Sequence, residues 1–173
     1  MKQEGTIIEQ LMSNKKEEVI KALELIKASD NVLFVQPLVT VYILNEDPEV
    51  HEEARAMLNT LKVKDFEGEL MECLRKSQWK QHFGAIMAFL WNAGGNPTDY
   101  VFELVQLAVQ NGPETMLECF SILEAMEGPI PEDQLIEAQH FLHNAHKEEV
   151  NEYDKNLIAL LSNALADKEV DLD

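Results

Sequence analysis

An all-helical chain of about five stacked antiparallel helix pairs is what the 173 residues predict. Three observations carry this. Proline stands at or just before several helix starts, apolar residues recur at helical spacing between those marks, and similar residues return after 31, 29 and 37 positions along the second helix of successive pairs. Seven Gly, six Pro and no low-complexity run leave no sign of a linker, so 1–173 is expected to be a single helical-repeat domain with a short acidic tail from about 167. A chain of this size buries roughly 70% of its unfolded surface.

The first pair is expected at 6–12 and 15–29, where Val19, Leu23 and Ile26 make an apolar stripe. The segment 32–44 is rich in β-branched residues that suit a strand, but Pro37 argues against a central strand and no other segment offers it a partner; a helix is therefore predicted. Asp47-Pro48-Glu49 then opens a helix at 48–61, with Asp47 as N-cap, proline at the first helical position and Glu49 near the positive end of the dipole. Helices follow at 65–75 and 77–93. The latter carries Trp79, Phe83, Ile86, Leu90 and Ala93 on one stripe and Met87 and Trp91 on a second, with Gly84 and Ala88 beside them. A helix apolar on two sides belongs inside a stack; the competing use is a groove for a partner helix, with Trp79 and Trp91 as anchors. Asn96-Pro97, with Asn96 as N-cap, opens 98–110; Gly112-Pro113-Glu114 opens 113–127; Ile130-Pro131-Glu132 opens 132–146; a last helix is expected at 149–166.

The helices fall into pairs at roughly 5–29, 31–61, 64–94, 96–127 and 130–166, a period that suggests an α-solenoid. Val19, Val50, Trp79 and Met116 hold similar places. Each is followed four residues on by Leu23, Ala54, Phe83 or Phe120, and seven on by Ile26, Met57, Ile86 or Leu123.

The stretch Pro37 to Leu61, above all Asp47-Pro48-Glu49-Val50-His51-Glu52-Glu53-Ala54-Arg55-Ala56-Met57-Leu58, resembles the HEAT-type repeat: a proline in the first helix, Asp-Pro-x-Val between helices, then Ala and Leu along the second. His51 stands where that family usually has Arg. The resemblance covers one repeat, and beyond it only the helix-pair period persists; armadillo-like helical is the broader name. It implies an interaction scaffold with a concave face lined by the second helices. The expected architecture is a right-handed α-α superhelix, and Glu18, Lys21, Glu53, Lys80, Gln81, Glu118 and Glu149 are the candidate binding residues on its second helices.

Charge narrows the partner. The net charge is −18, and it is uneven: residues 1–80 hold 11 Lys/Arg against 15 Asp/Glu, whereas 81–173 hold 3 against 17, with no Lys or Arg from Gln81 to His146. Phosphate backbones and anionic membranes require positive surface, so neither nucleic acid nor membrane is expected. The charge keeps a monomer soluble and can steer a basic protein partner. A scaffold or adaptor without catalysis is the expected function; the alternative is an acidic inhibitor or immunity-type protein that covers a basic, nucleic-acid-binding surface.

Chemistry-bearing motifs are few. His140, His143 and His146 step round one helix, so all three cannot face one ion, and no metal or other cofactor is expected. The carboxylate pairs Glu17/Glu18, Glu52/Glu53, Glu132/Asp133 and Glu148/Glu149 read as solvated helix starts and turns, and Lys15/Lys16/Lys21 and Arg75/Lys76/Lys80 as clusters offset by acidic neighbours. Some helical-repeat proteins are lyases or DNA-repair glycosylases; the repair activity needs a basic face, which the composition opposes, and a lyase needs a ligand-sized cleft. Cys73 and Cys119, 46 residues apart in apolar stretches, fit a reducing cytoplasm. No apolar run approaches the roughly 20 residues that span a bilayer.

Overall fold

Proline at the first turn or an N-cap side chain opens the helices that begin at Pro48, Pro113 and Glu152. A computed structural model describes residues 2–29 and 31–171, the Lys2 side chain excepted. The helices are α1 (Lys2–Leu11), α2 (Lys16–Lys27), α3 (Val35–Leu44), α4 (Pro48–Thr60), α5 (Phe66–Leu74), α6 (Phe83–Asn92), α7 (Val101–Asn111), α8 (Pro113–Ala125), α9 (Glu132–Glu148) and α10 (Glu152–Ala166). Short 3-10 turns at Val32–Phe34, Ser77–His82 and Thr98–Tyr100 lead into α3, α6 and α7. The β-branched segment 32–44 is helical, as its proline and its lack of a strand partner require. Two two-residue strands, β1 (Ile130–Pro131) and β2 (Val170–Asp171), pair in parallel and are the only sheet among the described residues. No helix is long and apolar enough to cross a membrane among the described residues.

The chain divides into two compact units, residues 1–82 and 83–173. In the first, α1 packs on α2 and α3 on α4, while α1 also packs on α3, α2 on α4 and α3 on α5. Leu23, Phe34, Leu38, Leu58 and Leu70 are fully buried there. The second unit repeats the pattern: α7 packs on α8 and α9 on α10, first helices meet as α7 on α9, and second helices meet as α6 on α8 and α8 on α10. Ile86, Leu90, Leu104, Leu123, Leu142 and Leu161 are buried there. Within each unit, then, pair-mates pack as α1 on α2, α3 on α4, α7 on α8 and α9 on α10, and like-placed helices of neighbouring pairs also meet.

The positions that repeat along the second helices are the packing positions. Val19, Val50, Trp79 and Met116 are buried, as are Leu23, Ala54 and Phe83 four residues on and Ile26, Met57, Ile86 and Leu123 seven on; Phe120 alone is half-buried. Asp47 caps α4 as expected, its Oδ1 accepting from the Glu49 and Val50 amides at 3.0 and 3.3 Å.

Three expectations need correction. Residues 77–93 are not one α-helix, because Ser77–His82 winds as a 3-10 turn. Asn96 does not cap a helix: the turn begins at Thr98 after Pro97, and the Asn96 side chain instead donates to the Glu127 carbonyl at 2.8 Å and accepts from the Glu127 amide at 3.1 Å. The last helix starts at Glu152, because Asn151 is its N-cap and accepts from the Tyr153 and Asp154 amides; Glu148 and Glu149 therefore end α9 instead of opening α10. The expected acidic tail is tied back at its start, with Lys168 Nζ donating to the Met126 carbonyl at 2.9 Å and the Ile130 amide to the Glu169 carbonyl at 2.9 Å. Its last two residues, 172 and 173, lie outside the described residues.

Candidate functional site

The exposed sides of the second helices are where the candidate residues were placed, and the two units treat charge there differently. In the first unit several carboxylates on and beside α2 and α4 meet a cation. Lys16 of α2 bridges Asp47 at 3.1 Å and Glu49 at 2.6 Å, and Lys27 reaches Glu53 on α4 at 2.8 Å. Lys15 pairs with Glu18 at 2.8 Å, and Arg55 with Glu52. These bonds hold the Glu18 carboxyl below its usual range, through Lys15 first and Ser13 second. Asp47 is lowered mainly by Lys16, and Lys16 is raised by Glu49 and then Asp47. His51, in the place of the repeat family's usual Arg, stacks on Tyr42 with ring centroids 4.4 Å apart; the tie from Asp47 to the preceding helix pair is made by Lys16.

Part of the second basic cluster is engaged in the same way. Arg75 pairs with Glu72. Lys76 donates to Gln36 Oε1 at 2.6 Å and lies 4.6 Å from the centre of the Trp79 ring, while Gln36 donates onward to Glu69 at 2.7 Å. Trp79 is buried under that ammonium, so it cannot serve as the surface anchor that its position suggested.

The second unit is unlike the first. Neither α6 nor α8 contains a Lys or Arg. The outward side of α8 carries Glu114, Leu117, Glu118, Ser121 and Glu124, while Met116, Cys119, Ile122 and Leu123 face inward and are buried. Trp91 of α6 is 38% exposed, and its indole N–H donates to Glu118 Oε2 at 3.0 Å. Gly84 lies against the Glu114 side chain, where a Cβ would sit 3.0 Å from the carboxylate oxygen.

The seven candidate binding residues do not converge. Lys21 on α2 is exposed, whereas Glu18 and Glu53 are half-buried in their ion pairs. Lys80 and Gln81 are exposed, but on the 3-10 turn instead of on a second helix. Glu118 holds the Trp91 indole. Glu149 sits at the end of α9, where its carboxylate accepts from the Asn151 amide at 2.7 Å. Sequence reasoning missed the meeting of Trp91 with Glu118 and of Gly84 with Glu114. Its one available signal was the small-residue line beside the Trp91 stripe.

Two grooves differ in their chemistry. One of about 380 Å³ is lined by Lys27, Ser29, Ala56, Met57, Thr60, Leu61 and Lys62, with no carboxylate, imidazole or thiol in its wall. Another, of about 300 Å³, lies between α9 and α10 and brings His143 and His146 together with Gln139, Ser162 and Asn163. His140 and His143 are exposed and His146 half-buried, and no three metal-ligating side chains converge among the described residues. Burial pushes the thiols of Cys73 and Cys119 up to about 12, which makes them inert packing groups. Comparison of the chain with protein-family models, curated proteins and solved structures gives no match.

Proposed function

We propose that the chain is a protein-interaction scaffold or adaptor of HEAT-like, armadillo type: a right-handed α-solenoid of about five helix pairs, formed by 1–173 as one helical-repeat domain, that acts without catalysis as a cytoplasmic monomer. What supports it is the packing within each unit, where first helices meet first helices and second meet second. Repeated helix pairs pack in this way, and such stacks present extended helix faces to partners. The partner class follows from charge. Residues 81–173 carry 17 Asp/Glu against 3 Lys/Arg, and among the described residues the carboxylates on α8 have no ion pair of the kind that Lys16 and Lys27 make with Asp47, Glu49 and Glu53. A basic protein surface is complementary, while nucleic acid and anionic membrane are not.

The same cation-free stretch favours a second reading, an acidic inhibitor or immunity-type protein that covers the nucleic-acid-binding surface of its partner. Competition separates the two: an inhibitor displaces nucleic acid from its partner, whereas a scaffold leaves that surface free, and salt shows what holds either complex. A partner isolated from native extract and re-formed from pure components is released at high salt if it is held mainly by charge, and is retained if apolar contacts dominate. A chain that captures no protein at either salt, and carries a small molecule instead, would sink both readings.

A further inference from the structure

We propose that the outward side of α8, with its flank on α6, is the docking face for a basic amphipathic helix of the partner. This rests on the interaction role proposed above and names its surface. Trp91 and Leu117 seat the apolar side of that helix, and Glu114, Glu118 and Glu124 meet its lysines and arginines. Trp91 is 38% and Leu117 45% exposed. Scattered surface apolar residues need no explanation, but these two lie on helices packed against each other and are interleaved with carboxylates. The inward side of α8 supplies its core packing through Met116, Cys119, Ile122 and Leu123, and Leu117 is not among those buried residues.

Charge selects the occupant. Among the described residues none of the three glutamates is ion-paired, and the only hydrogen bond to them comes from the Trp91 indole. Glu114, Leu117, Glu118, Ser121 and Glu124 recur at steps of three and four. Such a row presents three acidic positions around Leu117 and Ser121 over about 15 Å, the rise of about ten helical residues, which a partner helix reads with its own i, i+3, i+4 pattern. The indole bond to Glu118 fixes the Trp91 ring before binding, which lowers the ordering cost of an aromatic anchor.

The test uses the full chain, labelled with nitrogen-15, and two synthetic peptides of about 18 residues made of Leu and Lys. One is patterned to be amphipathic as a helix; the other has the same composition scrambled. The patterned peptide is expected to shift the Trp91 indole N–H and the amides of α6 and α8, and to bind at least tenfold more tightly than the scrambled one. Trp91→Ser and Leu117→Ser should each weaken it roughly tenfold. The triple variant E114Q/E118Q/E124Q should weaken it at low salt and flatten the salt dependence. Trp91→Phe, which keeps the ring and the fold, should lose less than Trp91→Ser. Equal binding of the two peptides, shifts centred on α7 and α9, or unchanged affinity in both serine variants would overturn the proposal. A native partner cross-linked through α7 and α9 would also overturn it while leaving the scaffold role standing, whereas absence of any protein partner removes the scaffold role itself.

Discussion

Replacing Thr115 by Val should destabilise the corner between α7 and α8, although the two side chains have nearly the same shape. Thr115 is 4% exposed and is the only buried polar residue among those described. Its hydroxyl lies 2.8 Å from the carbonyls of both Ala108 and Gly112, and with one hydrogen to give it serves them in turn. A net hydrogen bond is worth about 1 kcal/mol, and a buried carbonyl left without its donor costs about 1–3 kcal/mol. The valine methyl recovers up to about 0.8 kcal/mol of burial. The balance is a loss of about 1–2 kcal/mol for Val. Serine keeps the hydroxyl and loses only the methyl, about 0.8 kcal/mol by the same burial figure, while Ala loses both and should be the worst of the three. Urea unfolding followed by circular dichroism reads the series. With a slope of about 2 kcal/mol per molar, the valine midpoint should fall by about 0.5–1 M. A valine variant as stable as the parent would refute the role given to the hydroxyl.

Further outcomes follow from neighbouring features. Gly112 has φ of 97° and ψ of −172°, a conformation open essentially to glycine alone; Gly112→Ala should therefore cost about 1–3 kcal/mol in the same urea assay, even though its Cβ would meet open space. Cys73 and Cys119, with thiols at about 12, should resist iodoacetamide at pH 8 in the native chain and react once urea unfolds it. The Asp47 carboxyl is depressed in the folded state, so its contribution is present above the ordinary aspartate pKa of about 3.9 and is lost as pH falls through the lower folded value. Lys16→Gln should raise the Asp47 titration seen by carbon-13 NMR and shrink the stability lost on acidification; an unmoved Asp47 titration would refute the Lys16 bond as its cause.

The helical class and most boundaries were legible because they rest on local chemistry. Pro48 and Pro113 open α4 and α8 at the first turn, and Asp47 accepts the amides that an N-cap must satisfy. The segment 32–44 shows tertiary context overriding strand propensity. Asn96 shows where local reading stops. Its amide side chain suits an N-cap, but the Glu127 backbone 31 residues away offers both a donor and an acceptor, and the side chain takes those. Glu149 was misplaced because Asn151, two residues on, is the stronger cap. The candidate face was only partly visible. Trp79 and Trp91 fall on two apolar stripes of one predicted helix, and only the packing buries the first beneath Lys76 and leaves the second at the surface with Glu118. Charge asymmetry was plain from composition; which carboxylates go without a cation depends on contacts such as Lys16 with Asp47, which the sequence does not print.

The most direct measurement is capture of the native partner on the 173-residue chain at low salt, its re-formation from purified components, and cross-linking of the complex at low and high salt. A basic protein should be held, with cross-links on α6 and α8 and with affinity that falls as salt rises. A chain that holds no protein, or one whose protein partner is acidic and binds equally at both salts, would contradict the role proposed for these stacked helix pairs.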